Sequence, residues 1–463
     1  MSRSIKLDLV TAFAASGTKV LAYMAISRML LEGGAHIADF AMFTVIRSTL
    51  GLLNYATLGL APAFIRQLAG MLAVPTAALD AAPKRPGRLD YATEATEQGM
   101  PMLTTDPHRL YASAQYPALG IGLLALACVC MYALLFRHIH NVPEEVWTRA
   151  PWAAFMVGLA MLARLVSDVP GGYLQATHRI TLDNLLVLSA DVLWVMLTWS
   201  LLRAGSTPLI GVSLSFCICY ALLSLSRFTA AAIAGAPVFA PISQVDRPMA
   251  RHLLAFGVLL TLSQLSDFLY APTDFLLINW YLTKDHVANY SIAVQVDAGL
   301  LLLTAAVATV LYPRASRAVA LRDEITLRKY YLRGTLLTAT LLTAAASALI
   351  AIAPHLLRVW LGTDAPGARA ILPLVLLHSI VGGSSAPSRA ILLAAGRARV
   401  FAISAVVAGV LNVIISYVLV RYTTLGLTGV VIGTLIAVIL RCAFFLPWYT
   451  LRVLGEMREL KQT

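Results

Sequence analysis

Residues 9–31 read LVTAFAASGTKVLAYMAISRMLL, an apolar run whose only charges are Lys19 and Arg28. As a helix rising 1.5 Å per residue, such a run spans the roughly 30 Å hydrocarbon core of a bilayer. Within it Ser16, Lys19, Tyr23 and Ser27 recur at i, i+3, i+7 and i+11, which places them on one helical face. A membrane span with a polar stripe is therefore the first reading of the chain. Composition extends that reading to the whole sequence. Of 463 residues 59% are apolar and 13% are charged, where a soluble domain carries about 25% charged residues. A water-soluble enzyme, a disordered chain, a collagen-like fibre and a disulfide scaffold are all excluded by these proportions. The mean hydropathy of +0.78 agrees.

Eleven further apolar runs follow, giving about twelve candidate spans: Leu9–Leu31, Phe40–Ile65, Ala114–Phe136, Trp152–Val169, Leu182–Leu202, Leu209–Ala234, Leu253–Leu282, Ala288–Tyr312, Tyr331–Ala353, Ala370–Ala395, Phe401–Val420 and Leu427–Tyr449. Basic residues crowd the alternate connections that begin with Arg3 and Lys6, including Lys84, Arg85, Arg88, Arg247, Arg251 and the run from Arg314 to Arg333. The positive-inside rule then puts both termini in the cytoplasm. The net charge of +12 is accounted for by this orientation, and nucleic acid is not needed to explain it. The expected class is an all-α polytopic membrane protein of two six-helix bundles. Residues 1–234 form the first, with a cytoplasmic insertion at 66–112. Residues 235–252 form a Pro-containing cytoplasmic linker, and 253–463 form the second bundle and a short basic tail. Thr105-Asp106-Pro107 reads as the cap and first turn that start the third span.

Charged residues at membrane depth are costly and usually face a cavity or each other. In the second span Thr44, Arg47, Gly51 and Asn54 form another one-sided stripe. The seventh repeats the device with acids: Ser263, Asp267, Tyr270 and Asp274, with Pro272 expected to bend the helix between them. The eighth adds Gln295 and Asp297. A cationic lining in the first bundle thus faces an anionic one in the second. Lys19 and Arg47 are expected to meet an anionic head group, and Asp267, Asp274 or Asp297 to exchange a coupling H⁺ or Na⁺. The structural alternative is that these charges pair simply to lock the bundles. Arg164 and Asp168, spaced i, i+4, read as a local pair. Arg227, Arg389 and Arg441 lie near enough to one face to snorkel to the interface. Arg389, after Gly382-Gly383-Ser384-Ser385 and Pro387, is the one a broken helix could turn toward a cavity. Asp191 has no partner legible in sequence.

No catalytic constellation, phosphate-cradling GxxxxGK[ST] loop or Gly-x-Ser-x-Gly elbow is present. The five cysteines fall mainly in apolar runs, so packing is the expected role, with no metal, disulfide or other cofactor.

Local segments carry a family resemblance: LGLAPAFIR (58–66), GYLQATHR (172–179), DFLLIN (274–279) followed by VANYSIA (287–293), YPRAS (312–316) and LRVWLG (357–362). In order and spacing, with the six-plus-six layout, the chain resembles the O-antigen (Wzx-type) polysaccharide flippases of the multidrug/oligosaccharidyl-lipid/polysaccharide (MOP) exporter superfamily, which share the MATE-like fold. The resemblance implies turnover of an undecaprenyl diphosphate-linked oligosaccharide across the bacterial inner membrane by alternating access. It implies membrane lipids and polysaccharide polymerase or glycosyltransferases as partners. It carries head-group binding onto Lys19, Arg28 and Arg47. Related lipid II flippases place an acid at the outer turn between the first two spans, where Asp39 stands here. A Na⁺/H⁺-coupled multidrug antiporter would instead use the C-terminal acids, but it expects an acid where Lys19 stands. A non-transporting scaffold for glycan enzymes would need no charged stripes.

Overall fold

The computed structural model describes residues 3–31, 36–51, 53, 60–73, 106–177, 179–255, 270–320 and 323–462. Among these it is helical throughout and contains no strand. In chain order the helices are α1 (Arg3–Leu31), α2 (Ile37–Leu50), α3 (Leu60–Ala73), α4 (Pro107–Ile139), α5 (Ala150–Ala176), α6 (Ile180–Arg203), α7 (Pro208–Ile233), α8 (Ala271–Tyr281), α9 (Lys284–Ala320), α10 (Glu324–Leu361), α11 (Pro366–Ser384), α12 (Ala386–Ala394), α13 (Ala398–Tyr422), α14 (Leu427–Val438) and α15 (Leu446–Gln462). A π-helical turn, Ile439–Phe445, joins the last two.

Local sequence sets the boundaries. Asp106 caps α4 by accepting from the His108 backbone N–H at 2.8 Å, and Pro107 fills the first turn, where its missing donor costs nothing. The third span therefore starts earlier than its apolar run, and residues 66–73 of the expected insertion continue α3. Residues 74–105 lie outside the described set. Asp323 caps α10 through the Thr326 N–H at 3.0 Å, and Gly362 closes it at φ 74°, a left-handed conformation that glycine adopts without a Cβ clash. Pro272 lies in the first turn of α8.

Among the described residues, eight helices are long and apolar enough to cross a membrane: Pro107–Ile139, Ala150–Ala176, Ile180–Arg203, Pro208–Ile233, Glu324–Leu361, Pro366–Ala394, Arg399–Tyr422 and Leu427–Glu456. The remaining four expected spans correspond to α1, to α2 with α3, to 248–255 with α8, and to α9. Those are the segments that carry the polar stripes. The chain is a multi-pass membrane protein.

In lipid there is little hydrophobic gain from joining helices, so tight backbone approach carries the packing. Gly158 of α5 lets α4 in so close that a Cβ there would lie 2.3 Å from Val129 Cγ1. Gly433 of α14 lies against α13, where a Cβ would stand 2.2 Å from Ser416 Oγ and 2.7 Å from Ser416 N. In the N-terminal half α5 is central, packed on α2, α3, α4 and α7. Around Phe43 an aromatic cluster forms with Trp194 and Phe216, at 6.0 and 6.5 Å between centroids. Helices α1 and α2 cross to the C-terminal half, where they meet α8, α9 and α10.

Candidate functional site

Between α1, α2 and α5 on one side and α8 and α9 on the other lies a cavity of about 370 Å³. Three basic residues line it, Lys19, Arg47 and Arg164, and no Asp or Glu among the described residues does. The Arg47 guanidinium lies over the Tyr23 ring, 4.0 Å from its centroid, and the Tyr23 hydroxyl is 2.9 Å from Thr44 Oγ1. Stacking of this kind holds a cation in place without neutralising it. From Thr44 the polar contacts cross to the C-terminal half. Thr44 Oγ1 is 3.3 Å from Ser291 Oγ, Gln295 Nε2 donates to Ser291 O at 3.2 Å, and Ser27 Oγ donates to Gln295 Oε1 at 2.7 Å. The predicted Lys19, Tyr23, Arg47 and Gln295 are thus brought together. The side chains of Ser16, Asn54, Ser263 and Asp267 lie outside the described set.

Arg164 joins this group, and sequence reading had paired it with Asp168. That acid instead contacts Arg227 at 3.4 Å, and Arg227 also binds Asp183 at 2.8 Å. Arg227 is 7% exposed and so does not snorkel, because two acids from neighbouring helices hold it inside. The signal was available as three intramembrane charges of mixed sign on consecutive spans, but sequence alone does not give the pairing. Asp191 finds its partner in Tyr220, whose hydroxyl donates to Oδ1 at 3.3 Å, and it interacts electrostatically with Lys19, Arg47 and Arg164. A second cavity of about 280 Å³ shares Lys19, Arg164 and Tyr220 and continues into the N-terminal half as far as Asp183 and Arg227.

The other expected site residues are placed elsewhere. Asp274 is buried inside the C-terminal half, its carboxylate accepting from Tyr290 at 2.8 Å, Thr434 at 2.7 Å and Asn412 at 3.1 Å. Asp297 accepts from Ser379 at 2.8 Å, and its Oδ1 is buried with no hydrogen bond. Neither lines the cavity, and Tyr270 packs against the apolar cluster around Phe401. Asp39 accepts from the Leu209 N–H at 3.1 Å, so it caps α7 within the N-terminal half, with Arg149 at 3.8 Å. Arg28 is exposed and donates to the Val359 carbonyl at 3.3 Å. Arg389 is exposed over Phe401, 5.7 Å from the ring centroid. The break before it is packed shut, since a Cβ on Gly383 would meet Leu342 at 2.5 Å and Thr304 at 2.6 Å. No group of three or more His, Cys, Asp or Glu among the described residues could hold a metal ion.

At the end opposite Arg3 and Gln462 the halves are sealed together. Asn279 is the hub. Its Oδ1 accepts from His140 Nδ1 at 3.2 Å and the Asn141 N–H at 3.3 Å, and its Nδ2 donates to Asn141 O at 3.2 Å. Asn141 Nδ2 returns two bonds to the carbonyls of Asn279 and Trp280, at 2.9 and 3.0 Å. Trp280 donates to Ile139 O and Trp360 to Met24 O, both at 2.7 Å, and Lys284 pairs with Glu145. His140 is 4% exposed. Burial pushes its pKa down to about 4, against an opposing contribution from Asn279. The ring is neutral, with Nδ1 donating to Asn279 and Nε2 facing the Tyr132 hydroxyl at 2.8 Å.

This arrangement has known counterparts. An inward-facing multidrug resistance MATE family transporter of the MOP superfamily superposes with a TM-score of 0.67, at 16% identity over 99% of this chain and 96% of that one. A family model described as polysaccharide biosynthesis protein matches residues 209–365. The chain has the fold of the MATE transporters. A second solved structure of the same fold, a MOP superfamily transporter from Pyrococcus furiosus, is described as having a binding pocket of reverse polarity that suggests a different function. Its TM-score is 0.66, at 16% identity over 98% of this chain and 96% of that one. The uncharacterized membrane protein EpsK of Bacillus subtilis (strain 168) is 27% identical over 213 residues, 45% of this chain. The alignment spans 42% of that relative's length.

Proposed function

We propose that this chain is a MOP-superfamily transporter that flips a polyprenyl-diphosphate-linked oligosaccharide across the bacterial inner membrane, with both termini cytoplasmic, for cell-surface polysaccharide synthesis. The observation that carries the reading is the cavity between the halves, with three basic side chains and no acid in its lining. A diphosphate brings concentrated negative charge, and in a low-dielectric cavity guanidinium groups bind it through strong charge-assisted bonds. Lys19, Arg47 and Arg164 are the residues assigned to it. A cationic drug would meet repulsion there, which argues against antiport, and a scaffold would gain nothing from three cations gathered around a cavity at membrane depth.

The two bundles, 1–234 and 253–463, rock about the cavity. The seal at Asn279 closes one side, so this form loads from the side of the termini. Asp274 supplies the coupling site. Its carboxylate is surrounded by neutral hydroxyl and amide groups, and a buried carboxylate without a cation gains by taking up H⁺ or Na⁺. The decisive experiment uses proteoliposomes with a fluorescent polyprenyl-diphosphate sugar. Lys19→Gln and Arg47→Gln, expressed and folded normally, should each slow flipping at least tenfold. Full transport by both would overturn the assignment. In cells, deleting the gene should leave lipid-linked oligosaccharide on the cytoplasmic side; drug sensitivity alone would favour antiport.

A further inference from the structure

On the lipid-facing side of the C-terminal half, α13 and α14 touch closely where Gly433 meets Ser416. Toward the termini they diverge at the π-helical turn Ile439–Phe445, a feature that adds a residue to the helix turn and often marks a functional site. Between them opens a groove of about 390 Å³, floored by Ile403, Val407, Leu411, Leu440 and Phe445, with Arg441 on its wall. Ile403, Val407 and Leu440 are exposed at 54%, 53% and 46%, so the groove faces outward. It shares no lining residue with the cavity between the halves.

Beside this groove two cations lie near the ring of Phe401. Arg441 lies 4.7 Å and Arg389 5.7 Å from the centroid of Phe401. Arg441 Nε donates to Ser404 Oγ at 3.4 Å. Neither arginine has an ion-pair partner among the described residues, and Glu456 is engaged by Arg397 and Arg452. Two neighbouring guanidinium groups at a membrane surface call for an anion, and a basic pocket between spans is the kind of site that takes a phosphate head group. A soluble phosphate would satisfy the arginines but leave the apolar groove without a role. An acyl chain fits it.

We propose that this groove is a binding site for an anionic phospholipid, with its phosphate between Arg389 and Arg441 and one acyl chain along Ile403, Val407, Leu411 and Leu440. The test is a titration of the purified, delipidated full-length protein with phosphatidylglycerol and with phosphatidylcholine, followed by native mass spectrometry. The first phosphatidylglycerol should bind at least tenfold more tightly than phosphatidylcholine. Arg389→Gln with Arg441→Gln should erase that difference. Val407→Trp, at an exposed position, should weaken binding by filling the groove while leaving both charges. Equal affinity for the two lipids, or an unchanged preference in the double variant, overturns the proposal. Full competition by inorganic phosphate together with no effect of Val407→Trp also overturns it, since the ligand would then be a free anion.

Discussion

Asn279→Ala tests whether one side chain holds the sealed end. The Asn279 side chain makes three hydrogen bonds across the halves, to His140 Nδ1, Asn141 N and Asn141 O. It is 4% exposed. Each bond is worth about 0.5–1.5 kcal/mol net, and orphaning the buried His140 donor adds to the loss, so the seal should weaken by about 2–4 kcal/mol. That is roughly a thirty- to thousandfold rise in the opened population. The bonds to the backbone carbonyls of Asn279 and Trp280 survive the substitution, so the seal loosens without disappearing. The readout is a single cysteine at Ser48, which lines the cavity, in a background lacking the five native cysteines. A membrane-impermeant maleimide is added on the sealed side of oriented vesicles, and its rate follows the opened fraction. Asn279→Asp serves as the companion, since it keeps the acceptor but sets a carboxylate beside His140. Its seal should tighten in acid. A labelling rate unchanged by Asn279→Ala would refute the reasoning, because the three bonds would then contribute nothing to closure.

Acid should open the same seal in the native protein. His140 is held neutral, its pKa pushed down to about 4 by burial, whereas in an opened, hydrated state it returns to about 6.5. The seal is therefore at full strength above about pH 6.5 and weakens as pH falls toward 4, by roughly 3 kcal/mol in total. Ser48→Cys labelling that, relative to a free thiol reacted at the same pH, is equally slow at pH 7.5 and 4.5 would contradict this. Arg227→Met should lower stability by about 3–5 kcal/mol, because it strands Asp183 and Asp168 without their cation. A thermal melt should show the loss, and adding Asp183→Asn should recover part of it. Gly433→Ala should destabilise by about 1–3 kcal/mol, because the added methyl meets the Ser416 backbone rather than a movable side-chain end. An unchanged melting temperature would show that α13 and α14 can part freely.

The helical membrane architecture was legible from residues 9–31 onward, because the length and polarity of a span are one-dimensional properties. The cationic side of the cavity was legible for the same reason: Lys19 and Tyr23, like Thr44 and Arg47, share helix faces whose spacing is fixed by 3.6 residues per turn. What the sequence could not convey was pairing across helices. Arg164 looked engaged by Asp168 four residues on, but Arg227 from another helix takes that acid. Asp274 shares a face with Tyr270, yet the donors that turn it inward come from Asn412 and Thr434, far along the chain. The seal was invisible for a further reason. It is built of asparagine, tryptophan and neutral histidine at helix ends and in the connection after α4, residue types with no sequence pattern to mark a contact.

That choice of chemistry at the sealed end has a consequence for how the molecule tolerates its surroundings. Apart from the exposed Lys284–Glu145 pair and Arg28 on a carbonyl, its bonds join amides, indoles, imidazole and backbone. Dissolved salt screens charges over about 10 Å at 0.1 M but leaves short neutral hydrogen bonds intact. A gate fastened by such bonds keeps nearly the same set-point whether the medium outside is dilute or saline. Their dependence on direction also means that a small tilt of one half against the other breaks many of them together, so the closure behaves as a latch rather than a spring.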